Sequence, residues 1–186
     1  MTGLKRGTVK LVPHQAEWRK TAGDTITLLQ QLLGSAAVDI QHVGSTAIPR
    51  IHAKPIIDIA VAVRRLRDIF PFVSVLEQHD ILLRGEIISG EILFVIGNET
   101  MRTHHIHVAE WNGKQWNNYI NFRDFLNAHP EKAMLYDACK QELAAQFPDD
   151  RNRYTAGKAE TIQRLLQEAE AWKTAAAPGP HTETKE

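Results

Sequence analysis

One stretch, KPIIDIAVAV at residues 54–63, constrains the fold more than any other. It is dominated by β-branched residues, with Pro55 near one end and a basic cluster beyond the other, which predicts a buried strand. Side chains alternate faces along a strand. Ile57, Ile59, Val61 and Val63 therefore share one face, and Ile56, Asp58, Ala60 and Ala62 the other. The second face is small apart from its acid, so a ligand can approach it closely. A carboxylate is costly to bury unless it is paired or bound to a metal. Asp58 is thus salt-bridged to an arginine, set on a solvated face, or part of a site.

The surrounding pattern supplies the rest of the sheet. TVKLV, closed by Pro13, reads as a short strand. A helix is expected from about His14 to Leu33, because Trp18, Ala22, Ile26, Leu29 and Leu33 recur every three or four residues. Gly34 suits the position past its end. AVDIQHV is a strand ended by Gly-Ser-Thr, and residues 64–80 suggest a helix interrupted or begun near Pro71. ILLRGEIISGEILFVIG reads as two strands around Ser89-Gly90, and RTHHIHVAEW as another. Three helices follow, at roughly 115–128, 131–147 and 151–173, with Pro130 opening the second. The tail from Thr174 lacks a core-forming pattern and is expected to be disordered. The order predicts an α+β domain spanning 1–173, with a mixed-sheet core over about 9–110 and a helical part over about 115–173.

Bulk properties narrow the partners. Twenty-two basic and 22 acidic residues give zero formal charge, which argues against a general nucleic-acid or membrane binder. No apolar run approaches the ~20 residues that cross a bilayer. Cys139 is the single cysteine, so no intrachain disulfide forms. Together these lead to the expectation of a soluble cytoplasmic protein.

Several residues carry candidate chemistry. Gly44-Ser45-Thr46 follows a strand, where exposed N–H groups and hydroxyls can hold phosphate oxygens; the alternative is an ordinary capped turn. His105 and His107, two apart on a strand, project from one face, whereas His104 points the other way. With Asp58 from another strand they would supply three ligands for a divalent ion and leave room for water or a phosphate oxygen. The alternative is one imidazole packed in the core and one bonded to backbone. Lys54 enters the Asp58 strand, where it would meet a phosphate or sit solvated in a loop. Tyr136 with Lys140, and Tyr154 with Lys158, repeat a four-residue spacing that can aim two cations into one cleft, although surface lysines are common. Arg123 would meet a ligand or pair locally with Asp124.

The combination of HVGSTAIPRIHAKPIIDIAV, HHIHV, FRDFLNAHP, YDACK and YTAGK resembles the GrpB-like family, which is grouped with the nucleotidyltransferase superfamily. The resemblance spans roughly Val9 to Trp172. It implies a nucleotidyltransferase-like mixed sheet with flanking helices and a C-terminal three-helix region. It further implies metal-dependent transfer or hydrolysis on a nucleotide or other phosphorylated small molecule. Gly44, Ser45, Thr46, Lys54, Arg123, Tyr136, Lys140, Tyr154 and Lys158 would hold the ligand. Asp58 would be catalytic and would share the metal with His105 and His107. Fusion of some relatives to dephospho-coenzyme A kinase fits such chemistry. Departures also stand out. Active nucleotidyltransferases carry a second acid two residues after the first, and here that residue is Ala60. Arg50 stands where glycine is common, and Glu91 where a basic residue is expected. The metal is Mg or a transition metal such as Zn or Mn, with imidazole ligands favouring the latter. The alternative is a degenerate module that binds a nucleotide or phosphometabolite without turnover.

Overall fold

The computed structural model describes residues 2–98 and 100–176. In chain order they form β1 (Leu4–Lys5), α1 (Glu17–Leu33), β2 (Ala37–Val43), β3 (Ile57–Val63) and α2 (Val73–Gln78). Then come β4 (Ile81–Ile88), β5 (Glu91–Gly97), β6 (Met101–Glu110), α3 (Lys114–Ala128), α4 (Pro130–Gln146), α5 (Arg151–Gly157) and α6 (Ala159–Ala176). Short 3-10 segments lie at Ser45–Ala47 and Leu66–Phe72.

The strands make one mixed sheet in the order β2-β3-β6-β5-β4, with β1 pairing the start of β6. β3 and β6 run parallel, and the remaining pairings are antiparallel. The alternation read from residues 54–63 decides how helices cover this sheet. Ile57, Ile59, Val61 and Val63 pack with Ile106 and Val108 against Trp18, Ala22, Leu29 and Leu33 of α1. Ala60, Ala62, Val43 and Ala109 face the other way, under Trp116 of α3. Each large side chain buried this way contributes roughly 1.5–3 kcal/mol relative to exposure. A one-residue slip of β3 would turn that apolar row outward and drive Asp58 into the α1 layer, so packing fixes the register. Behind α3, a further core joins Phe125, Leu126, Ala133, Tyr136, Leu165 and Ala169 to Ile48 and Ile51 from the loop after β2.

The α+β architecture and the hairpin at Ser89-Gly90 agree with the sequence pattern, but four expectations change. TVKLV is not a strand. Gly7 turns the chain at φ 86°, and the extended residues beyond it bond to loops, with Val9 N to Pro148 O at 2.8 Å and Val12 bridging Ala53. The paired strand is instead Leu4–Lys5. The first helix starts at Glu17 rather than His14, after a turn in which Trp18 N donates to Gln15 O. The helix expected over 151–173 is broken at Lys158 into α5 and α6. Gly157 is pressed there against α4, since a Cβ would lie 2.5 Å from Leu143 Cδ2. Finally, α6 extends to Ala176, so residues 174–176 are helical, and the rest of the expected disordered tail lies outside the described residues. Among the described residues no helix is long and apolar enough to cross a membrane.

Candidate functional site

Two parallel strands bring the acid and the imidazoles together. The β3–β6 register sets Asp58 beside His105 and Ala60 beside His107. The methyl group of Ala60 leaves His107 room to lean back toward Asp58. His105 Nδ1 lies 3.0 Å and His107 Nε2 3.4 Å from Asp58 Oδ1. One ligand atom from each of the three residues falls within 4.8 Å of the others. His104 points to the opposite layer, 3.2 Å from Thr25 Oγ1 of α1, and burial lowers its pKa to about 4.

The two site imidazoles differ in what stands behind them. His107 Nδ1 is 2.8 Å from Glu91 Oε1, and Tyr119 OH donates to Glu91 Oε2 at 2.6 Å. Burial favours neutral His107, but hydrogen bonds to Asp58 and Glu91 outweigh it and raise the pKa to about 9. For His105 burial dominates and the pKa falls below the usual value, although Asp58 opposes the shift. Burial pushes the Asp58 carboxyl up, and the bonds from His105 and His107 more than reverse this, so the carboxylate is held well below its ordinary range.

The turn after β2 closes against the acid. Gly44 adopts φ 69° and ψ −170°, and a Cβ on it would come 2.5 Å from Asp58 Oδ2. Glycine is required there both for its dihedral angles and for the close approach. Ser45 follows, with Lys140 Nζ 3.4 Å from its Oγ. Thr46 is buried, and its hydroxyl is committed to His42 Nε2 at 2.9 Å.

Above the cluster lies a cavity of about 360 Å³ whose lining includes the cations Lys54, Lys140, Arg151 and Lys158. Both tyrosine–lysine pairs place an ammonium over a ring, Lys140 at 4.9 Å from the Tyr136 centroid and Lys158 at 4.5 Å from that of Tyr154. Lys54 lies 5.4 Å from the Tyr154 centroid. Such contacts offset part of the cost of desolvating a cation. Burial, then the repulsion of Lys158 and Arg151, lowers the Lys54 pKa to about 7. Burial also lowers Lys140 to about 8, despite Asp137 at 3.5 Å. Lys140 additionally donates to His52 O, which ties α4 to the loop before β3.

Gly44, Ser45, Thr46, Lys54, Asp58, His105, His107, Tyr136, Lys140, Tyr154 and Lys158 thus all border one cavity. Arg123 does not. Its guanidinium bonds Asp124 at 2.8 Å, and Gln41 Oε1 and His42 O at 3.0 Å each, so it staples α3 to β2 beside a separate cavity. The next residue back, Phe122, reaches the main cavity instead. Sequence reasoning missed Glu91, Tyr119 and Arg151 as part of this surrounding. Glu91 did carry a signal, an acid opening the apolar run EILFVIG much as Asp58 interrupts its own.

A family model described as GrpB protein matches residues 8–168. The glutamate-rich protein GrpB of Alkalihalophilus pseudofirmus is 38% identical over 174 residues, covering 90% of this chain and 99% of that protein. The YqkA protein of Bacillus subtilis is 34% identical over 166 residues, 89% of this chain but 48% of its own length. The solved structure of the conserved protein GrpB from Enterococcus faecalis is 28% identical and aligns with a TM-score of 0.81, covering 88% of this chain and 99% of that one.

Proposed function

The chain belongs to the GrpB family, and from that premise we propose that it binds one divalent cation and acts on a nucleotide or other phosphorylated small molecule by nucleotidyltransferase-like transfer or by hydrolysis. The observation that carries this reading is the meeting of Asp58, His105 and His107 in a cavity whose lining also carries Lys54, Lys140, Arg151 and Lys158. The donor set fits a divalent ion: two imidazole nitrogens and a carboxylate oxygen bind one with positions to spare. The nitrogen donors favour Zn, Mn, Co or Ni over Mg. With Ala60 where a second acid would stand, the residues support one ion rather than two. When bound, the ion supplies Lewis-acid polarisation of a phosphoryl oxygen.

The protein's own groups divide the remaining work. The turn at Gly44 and Ser45 offers N–H and hydroxyl groups to phosphate oxygens beside Asp58. Lys140 and Lys158 neutralise ligand charge from the helical side and Lys54 from the loop before β3, where a partly desolvated ammonium acts more strongly than in water. Phe122, Tyr136 and Tyr154 give the ligand apolar and aromatic contact.

The test is a turnover screen. Chelator-stripped protein is reloaded with Zn²⁺, Mn²⁺, Co²⁺ or Mg²⁺ and given nucleotides and phosphorylated metabolites, and release of phosphate or pyrophosphate is followed. Turnover that is lost in Asp58→Asn supports the enzyme. A rise in Tm with no product supports a binding module that keeps the site without chemistry, the reading that Ala60 favours. Neither response under any metal would reject both.

A further inference from the structure

We infer that Glu91, backed by Tyr119, is a positioning residue that makes His107 offer Nε2 to the cation, so that the two imidazoles ligate through unlike nitrogens. This rests on the divalent-cation reading of the Asp58 cluster.

The argument starts from a buried acid. Glu91 is 1% exposed at the start of β5, in a ladder position opposite Ala109. A carboxylate so placed is costly unless each oxygen has a partner, and here each does. Oε1 faces His107 Nδ1 at 2.8 Å, and Oε2 accepts from Tyr119 OH at 2.6 Å. An ionised carboxylate only accepts hydrogen bonds. The proton between Glu91 and His107 therefore sits on Nδ1. Tyr119 OH is also 3.0 Å from that nitrogen, but its single proton is already directed to Glu91. The Tyr119 ring packs tilted against the imidazole, with its centroid 4.7 Å from that of His107. What remains for His107 is Nε2, the atom aimed at Asp58.

His105 is built differently. Its Nδ1 is the nitrogen that faces Asp58, at 3.0 Å, and among the described residues no carboxylate bonds its Nε2. Imidazole ligands whose far N–H is held by a carboxylate are fixed in tautomer and made more basic, and losing that partner costs about 10–100-fold in metal affinity. His107 is therefore the firmer of the two nitrogen ligands, and Glu91 is what makes it so. This also accounts for an acid where the family resemblance called for a basic residue: a cation there would repel both the ion and the donated Nδ1–H.

A purely structural role, in which Glu91 only anchors α3 through Tyr119, predicts a different result. The experiment titrates Co²⁺ into the chelator-stripped full chain. Affinity is read by competition with a chelator, geometry by the visible absorption of bound Co²⁺, and fold by the Tm of the metal-free protein. Glu91→Gln, close in shape, is expected to weaken Co²⁺ binding by about 10–100-fold and to shift the absorption band. Tyr119→Phe, which leaves the carboxylate in place, is expected to weaken binding by a smaller factor and serves if Glu91→Gln does not fold. The inference is overturned if the folded variants bind Co²⁺ as the wild type does, whether or not their Tm falls. If the wild type itself takes up no Co²⁺, the cation reading fails and takes this inference with it.

Discussion

The sheet wall and the helix wall of the cavity behave oppositely. On the sheet wall, neighbouring carboxylates raise His107 to a pKa of about 9 against the pull of burial. Where Lys54, in the loop before β3, meets Lys158 and Arg151 of the helical part, burial and neighbouring cations lower Lys54 to about 7. Desolvation disfavours charge on both sides, and the sign of the surrounding charge decides whether it prevails. The sheet wall holds its groups through a β ladder, so their spacing is rigid. The helix wall holds ammonium groups over tyrosine rings, with Asp137 the carboxylate beside Lys140. One wall is thus suited to a cation and the other to a polyanion.

That division of labour can be broken or sharpened by experiment. The largest effect is expected from Asp58→Asn, which removes the negative charge that both imidazoles face. Equilibrium dialysis against Zn²⁺ should show stoichiometric uptake in the wild type and none in the variant, while inorganic triphosphate still raises the Tm of both. Lys140→Met should do the reverse. It removes a buried charge at nearly constant shape, and a hydrogen bond to a charged group is worth about 1.5–3 kcal/mol, so the calorimetric Kd for pyrophosphate should rise about 10- to 100-fold with Zn²⁺ uptake intact. If either substitution damages both functions equally, the walls are not separate.

Gly44→Ala strikes where the walls meet. The forced dihedral angles alone cost about 1–3 kcal/mol, and the new methyl group meets Asp58. Its urea midpoint should fall and its Zn²⁺ affinity should drop with it. The gentlest probe is pH. Lys54 and Lys140 carry charge below about 7 and about 8, both under the ordinary lysine value. Each ammonium is lost as pH rises through those values, so pyrophosphate affinity should fall between about pH 6 and about pH 9. Lys54→Met should flatten the lower part of that fall, and an unchanged profile would show that Lys54 does not face the ligand.

Much of the sheet wall was legible because its information is local. The period-two pattern around Asp58 and the His-x-His spacing each fix a face within a few residues, and packing against α1 leaves one register. The repeated tyrosine–lysine spacing likewise revealed the helix wall, although it continues across the break at Lys158. What was not legible depends on long-range docking. Glu91 reaches His107 only through the β5–β6 register, Tyr119 only through the seating of α3, and Arg151 only through the fold-back of α5. For Arg123 the local pair with Asp124, one of its two sequence readings, holds, but its partners Gln41 and His42 lie about 80 residues away, on β2, and were not legible for the same reason. The strand expected at TVKLV failed because β propensity needs a neighbouring strand, and loops occupy that place.

The most direct measurement is X-ray absorption at the Zn edge of the full chain loaded with one equivalent of Zn²⁺. Scattering from two imidazoles with an oxygen-rich remainder, reduced to one imidazole in His107→Ala, is the expected result. A shell without imidazole, or one unchanged by that substitution, would contradict the proposal that Asp58, His105 and His107 hold the ion.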